Sequence, residues 1–209
     1  MTLDEQALLD ITQSTCGHYN SNAEDFWIGT KDHDVSQNIN ALLSRLGDVS
    51  PLRILDFGCG PGRDLLTFSA LGHEAVGLDG AVRFCDMARS LSGCSVLHQD
   101  FVALDLPPAS FDGIFANASL FHIPSQELGR VMGELLAALK PGGVLFSSNP
   151  RGQNVEGWNG DRYGAYYDLD HWRASLESVG FMYLSHYLRP AGLPVEQQPW
   201  LASLWQRPF

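Results

Sequence analysis

The sequence predicts a doubly wound α/β fold: a mainly parallel seven-stranded sheet with helices on both faces, an antiparallel C-terminal edge hairpin and an N-terminal helical flap. Three observations carry this reading. Apolar runs rich in β-branched residues alternate with stretches of roughly ten to fifteen residues whose apolar positions recur at helical spacing. A glycine-rich turn, "DFGCGPGRD" at residues 56–64, follows one of the runs. The last two runs, "FMYLSHYL" and "WLASLW", are joined only by the proline-rich "RPAGLPVEQQP". Parallel neighbours need crossovers whereas antiparallel ones need only a short connection, so the early strands are read as parallel and the last pair as a hairpin.

The elements follow in order. In "HYNSNAEDFWIGTKDHDVSQNINALLSRL", the side chains Val35, Ile39, Leu42, Leu43 and Leu46 form one apolar stripe of a helix, with Asp34 and Gln37 spaced as a capping box. "PLRIL" reads as the first strand, then comes the glycine turn and a helix from Arg63 to Gly72. "EAVGLD" is the second strand, backed by Phe84, Met87, Ala88 and Leu91, and "SVLHQD" is the third. "FDGIFANAS" is the fourth, followed by a helix through Leu128, Val131, Met132, Leu135, Leu136 and Leu139 that "KPGG" stops. "VLFSSN" is the fifth strand, and residues 149–168 form the least regular stretch. A helix with Leu169, Trp172, Leu176 and Val179, capped by Gly180, precedes the hairpin. The whole of 1–209 is read as a single domain, with a flap and helix over 1–50, a cofactor-binding core over 51–149 and a substrate-side loop, helix and edge hairpin over 150–209.

Composition narrows the partners. The formal net charge is −11 with no cluster of Lys or Arg, so nucleic acid and anionic membrane are poor partners and a small molecule is expected. Four cysteines, scattered and without CxxC or histidine spacing, suggest neither zinc nor a disulfide framework, and no metal is expected. The start "MTLDEQALLD" lacks the regions of a signal peptide, which points to a cytoplasmic protein. Oligomeric state is left open.

Gly58, Gly60 and Gly62 let backbone N–H groups approach a ligand directly. Asp79 ends the second strand about twenty residues on, where a carboxylate can accept from both hydroxyls of a ribose. Asp100 ends the third and can accept from an exocyclic amine while Phe101 covers an adenine face. So many carboxylates would repel a pyrophosphate, so the ligand is read as a cationic or zwitterionic nucleoside. Arg63 suits a ligand carboxylate through a bidentate fork, with a solvated helix position as the competing reading.

With "ILDFGCGPGRD", "GLDG", "QDF", "FDGIFANASLFHIP" and "LKPGGVLFSSN" in that order, the chain resembles the class I S-adenosylmethionine-dependent methyltransferases over residues 51–149. The resemblance implies S-adenosylmethionine as cofactor and S-adenosylhomocysteine as product. It implies that Gly58 and Gly60 face the methionine and ribose portion, that Asp79 with Gly80 holds the ribose, that Asp100 and Phe101 hold the adenine, and that the fourth-strand end, including Asn117 and Leu120, lines the cofactor. It also implies a lid of Tyr19, Phe26 and Trp27 over the cofactor, against a plain core role for Trp27.

The substrate is expected between this flap and the irregular stretch, where Arg151, Trp158, Arg162, Tyr163 and Tyr166 would form an aromatic pocket with guanidinium groups for an acidic acceptor; packing on the sheet edge is the alternative. His122, after the fourth strand, is a candidate general base. His33, between two aspartates, is another, unless it is a solvated loop residue. The function expected is methyl transfer to a N, O or S atom of a small molecule. A non-catalytic cofactor-binding protein and a nicotinamide-dependent oxidoreductase are the rivals, the latter opposed by a GxGxG spacing in place of GxGxxG.

Overall fold

The structure is a computed structural model, described over residues 3–47 and 50–209. Three helices precede the sheet: α1 (Glu5–Ser21), α2 (Ala23–Thr30) and α3 (Ser36–Leu43). The carboxylate of Asp4 starts α1 by accepting from the N–H of Ala7 at 2.8 Å. The apolar stripe of α3 packs as expected, with Ile39 and Leu42 buried, but the capping box does not form. Val35 is the cap and lacks a capping side chain; Asp34 instead accepts from the N–H of Ser36 at 2.9 Å, and Gln37 is exposed.

The wound core follows: β1 (Arg53–Phe57), α4 (Arg63–Ala70), β2 (Glu74–Asp79), α5 (Val82–Ser92), β3 (Ser95–His98), β4 (Phe111–Asn117), α6 (Ser125–Ala138) and β5 (Leu139–Pro150). A hairpin of β6 (Val155–Asn159) and β7 (Arg162–Tyr166), then α7 (Leu169–Ser178), β8 (Met182–Arg189) and β9 (Trp200–Gln206) follow, with single 3-10 turns at Leu120–His122 and Val195–Gln197. The sheet order is β3-β2-β1-β4-β5-β9-β8, parallel from β3 to β5, with β9 antiparallel to both β5 and β8. The terminal hairpin therefore closes one edge, and its last strand lies inside.

Alternation along the strands builds two cores. Leu55, Ile114 and Leu145 face α6 and α7, where Leu128, Met132, Leu135 and Trp172 are buried. Ile54, Phe115 and Phe146 face Leu42, Leu65 and Phe68 on the other side. Strands buried on both faces read as continuous apolar runs, which is why these were visible in the sequence.

Two boundaries differ from the expectation. "KPGG" does not separate helix from strand: α6 ends at Ala138, Leu139 already pairs with Phe111, and the ladder resumes at Gly113 and Val144, so the four residues bulge out of β5. The stretch read as irregular contains the β6–β7 hairpin, with Asn159 opposite Arg162 and φ +61° at Gly160 in the turn. "NGD" is the signal that identifies it, since a tight hairpin turn needs positive φ.

At the α4 start, Gly62 has φ +99°, and a Cβ there would stand 2.7 Å from the Cα of Ala88 in α5. Gly62→Ala is expected to lower stability by about 2–4 kcal/mol through strain and forced separation of the helices. Gly129→Ala, in the interior of α6 with no atom within 4 Å of the new Cβ, is expected to raise it by about 0.5–1 kcal/mol. Urea melts of the two variants check both signs.

Candidate active site

The glycine loop is fastened to the end of β2. The N–H groups of Gly58 and Cys59 both donate to the carbonyl of Leu78, at 2.8 and 3.0 Å. Asp79 is buried, and its two oxygens accept from the N–H groups of Gly60 and Ala81, each at 2.9 Å. Burial pushes its carboxyl up to about 6, against the pull of those N–H groups and of His98. The glycines differ in what they permit. A Cβ on Gly58 would lie 2.3 Å from the Cβ of Ser119, whereas one on Gly60 would meet nothing nearer than Phe26 at 3.7 Å. Gly60 thus turns its open side toward free space.

That space is a cavity of about 710 Å³ beyond the carboxyl ends of the parallel strands. Its floor holds Gly58, Gly60, Asp79, Gly80, Asp100 and Phe101. Asp100 accepts from the N–H of Val102 at 3.0 Å, and the ring of Phe101 sits 4.4 Å from that of Phe57. The roof is the N-terminal flap: Tyr19 and Phe26 pack on Phe84 of α5 with ring centroids 5.4 and 5.0 Å away, and Trp27 stands beside them. Arg162 of β7 forms one wall, and Arg189, Pro190 and Trp200 form another.

Of the residues singled out from the sequence, Tyr19, Trp27, Gly58, Gly60, Arg63, Asp79, Gly80, Asp100, Phe101, Asn117, His122, His33 and Arg162 line this one cavity. Several are committed otherwise. Arg63 gives its fork to Asp64, at 2.7 and 2.9 Å, and a third donor to the carbonyl of Thr30. The Asn117 amide accepts from Asn38 and donates to Asp64. His33 is exposed at the mouth, and the aspartates meant to tune it are engaged elsewhere, Asp32 with Lys31 and Asp34 with Ser36.

Five residues fall outside. Leu120 is fully buried in the core between sheet and α6, so it does not line the cavity. Arg151 donates to the carbonyl of Val195 and braces the β8–β9 connection. The period of two along β7 turns Arg162 inward and Tyr163 to the opposite face, where it pairs with Trp158, itself 52% exposed. Tyr166 shares the face of Arg162 but lies behind Phe121, with ring centroids 6.0 Å apart. Reading the stretch as a loop hid this alternation.

Arg189, Trp200, Phe121 and Ser148 were missed. Arg189 and Trp200 are directly paired across β8 and β9, and Trp200 pairs with Pro150 at the end of β5. An antiparallel strand beside β5 must begin where β5 ends, so its first residue joins the cavity; only the strand order reveals this.

His122 is held at both nitrogens. Nδ1 lies 2.7 Å from the carbonyl of Tyr163, which can only accept, so Nδ1 carries the proton. Nε2, 2.8 Å from the Tyr19 hydroxyl, is then the acceptor of that O–H. Burial keeps the imidazole neutral by lowering its pKa to about 4.

A family model described as a methyltransferase domain matches residues 54–143, the span from β1 into β5 that carries the floor of the cavity. Residues 54–143 are a methyltransferase domain, and the chain resembles the class I S-adenosylmethionine-dependent methyltransferases in sequence and in fold. Among curated members, a sterol 24-C-methyltransferase of Eremothecium gossypii is 30% identical over 68% of this chain and 43% of its own length. A malonyl-[acyl-carrier protein] O-methyltransferase of Xylella fastidiosa is 34% identical over 56% of this chain and 41% of its own. The chain thus spans less than half the length of either methyltransferase. A solved 1,6-didemethyltoxoflavin-N1-methyltransferase of Burkholderia thailandensis, with S-adenosylhomocysteine bound, superposes with a TM-score of 0.81 over 100% of this chain and 94% of that one, at 19% identity. At that identity the likeness is one of fold. No described helix is long and apolar enough to cross a membrane.

The neutral His122 carries a pH signature. Its folded pKa of about 4 lies below the ordinary 6.5, so between these values the unfolded chain binds more protons and this group's contribution to stability falls as pH falls. Replacing it by Gln removes that loss. The stability gap between wild type and His122→Gln should therefore narrow from pH 6.5 to pH 4 in urea melts; a constant gap would mean that the buried imidazole titrates normally.

Proposed function

We propose that this chain transfers a methyl group from S-adenosylmethionine to a N, O or S atom of a small molecule bearing an acidic group. The observation that carries the cofactor half is the state of Asp79. Each of its oxygens already accepts one backbone N–H, and a carboxylate oxygen has two lone pairs. One acceptor site per oxygen is left, which matches the two hydroxyls of one ribose. Asp100 and Phe101, one strand further, suit an adenine, and the open side of Gly60 leaves room for the sulfonium arm.

The residues present fit the group. Gly58, Gly60, Asp79, Asp100 and Phe101 would hold it, and Tyr19, Phe26 and Trp27 would cover it. When bound, the cofactor supplies an activated methyl group, so the protein's part is alignment and exclusion of water. Arg63, tied to Asp64, keeps donors for the cofactor carboxylate.

On the acceptor side, Arg162 supports an anionic group. Its Nε is buried without a partner, its guanidinium lies 5.9 Å from the ring centroid of Tyr19, and the side chain lines the cavity. Arg189 adds a second guanidinium on the far wall, where Trp200 and Phe121 give aromatic surface. Acceptors at carbon, oxygen and nitrogen all occur in the names of the similar proteins, and a fold shared so widely does not choose among them.

Calorimetry with S-adenosylhomocysteine tests the cofactor half. Asp79→Ala should weaken binding by about 2–4 kcal/mol, on the order of thirty- to a thousandfold, with Asp79→Asn intermediate. Because the Asp79 carboxyl ionises only above about 6, wild-type affinity should also decline as pH drops through that value. Binding of NADH with no response to S-adenosylhomocysteine would refute the reading.

Arg162→Lys retains charge but loses the planar fork, so it should raise the acceptor's KM or lower kcat at least severalfold with cofactor affinity unchanged. An acceptor without any anionic group, or full activity in Arg162→Ala, would sink the acidic-acceptor assignment.

A further inference from the structure

Tyr19 and His122 come from distant parts of the sequence, α1 and the turn after β4, yet meet at 2.8 Å on the cavity wall. Direction matters here. Since the Tyr163 carbonyl fixes the proton on Nδ1 of His122, Nε2 is bare and the Tyr19 O–H must point at it. The phenol oxygen faces the Arg162 guanidinium with one lone pair and can accept from a molecule in the cavity with the other. The ring of Phe121 holds the imidazole from the side, 3.9 Å between centroids. Arg162, over the Tyr19 ring and hydrogen-bonded to its side chain, would stabilise negative charge there. The other charged or titratable groups facing the pair are His18 from α1, Tyr166 from β7 and Asp79 from β2.

We propose that Tyr19 and His122 form a proton relay: the Tyr19 oxygen takes the proton of an acceptor O–H or heteroaromatic N–H while the Tyr19 hydroxyl proton passes to Nε2 of His122. The proposal rests on the methyltransferase reading and narrows its acceptor to groups that must lose a proton. The steps balance. The acceptor's X–H bond breaks toward Tyr19, and its electron pair forms the bond to the methyl carbon. The carbon–sulfur bond breaks with its pair left on sulfur, and the single positive charge moves from the sulfonium to the His122 imidazolium. Tyr19 ends as a phenol, unchanged. Burial makes the imidazolium unfavourable before reaction, but the neighbouring positive charge disappears as the proton arrives, so the two changes favour each other. Release of the proton to water restores His122.

The same hydrogen bond could merely fasten α1 to the sheet, and the test separates these roles. Tyr19→Phe keeps the ring contacts with Phe26 and Phe84 and removes only the hydroxyl. Full-length wild type, Tyr19→Phe, His122→Gln and the double variant would be given S-adenosylmethionine with two acceptor sets: phenols and heteroaromatic N–H compounds of graded acidity, and thiols already ionised at the assay pH. Single-turnover formation of S-adenosylhomocysteine is the readout.

Each single variant should slow the un-ionised acceptors by about 10²–10³-fold, with the double variant no slower than the worse single one, and should steepen the dependence of rate on acceptor acidity. Ionised thiols, which need no base, should be slowed at least about tenfold less than the un-ionised acceptors by each substitution. Equal losses for both acceptor sets, or additive effects of the two substitutions, would overturn the relay and leave a fastening. Failure of wild type to bind S-adenosylhomocysteine would instead overturn the methyltransferase reading, and the relay with it. Nitrogen NMR of the free protein gives a check without any acceptor: at pH 7, His122 should show a protonated Nδ1 and a bare Nε2, and the opposite tautomer refutes the relay.

Discussion

The carboxylate of Asp79 accepts from Gly60 on one side and Ala81 on the other, so one anion holds the glycine loop, the end of β2 and the start of α5 in fixed relation. Its position follows from strand pairing: Asp56 of β1 lies opposite Gly77, and Phe57 opposite Leu78, which brings the loop after β1 over the last residue of β2. The loop can fold back this closely because Gly58 has no side chain to collide with Ser119. Burial raises the carboxyl, and the two N–H groups restrain that rise. A group in this balance stays ionised near neutral pH while being partly desolvated, which strengthens each hydrogen bond it accepts.

A second polar chain fixes the other half of the cavity. Tyr187 of β8 donates to Asn38 of α3, Asn38 donates to Asn117 at the end of β4, and Asn117 donates to Asp64, which also holds the fork of Arg63. Arg63 in turn reaches the carbonyl of Thr30, the last residue of α2. Edge strand, flap and glycine-loop helix are thereby joined through hydrogen bonds that the surrounding apolar side chains shelter. Burial and the adjacent Asp64 carboxylate also push the carboxyl of Asp56 well up.

The flap depends on such bonds more than on buried area. Only Ile11 and Thr15 of α1 and Ala23 of α2 are buried, while Ser14, Thr15, Tyr19 and Asn20 bond to the β7 hairpin, His122 and α5. Hydrogen bonds of this kind contribute on the order of 1 kcal/mol each and can break without opening the sheet core. A roof so attached can admit ligands that a packed helix would exclude.

By itself the sequence determined the winding of β1 to β5, because strands buried on both faces and helices buried on one leave different periodicities in the order of residues. It also marked the floor of the cavity, which Gly58, Gly60, Asp79 and Asp100 line, because glycine freedom and charge at strand ends are local properties. The tertiary structure decided everything that depends on which distant segments lie side by side. The insertion of β9 between β5 and β8 brings Arg189 and Trp200 to the cavity, the register of the β6–β7 hairpin selects Arg162 over Tyr163, and the meeting of α1 with the β4 turn directs the Tyr19 hydroxyl at His122. Pairing across long sequence separations is set by the sum of many contacts, and no single stretch of chain records that sum.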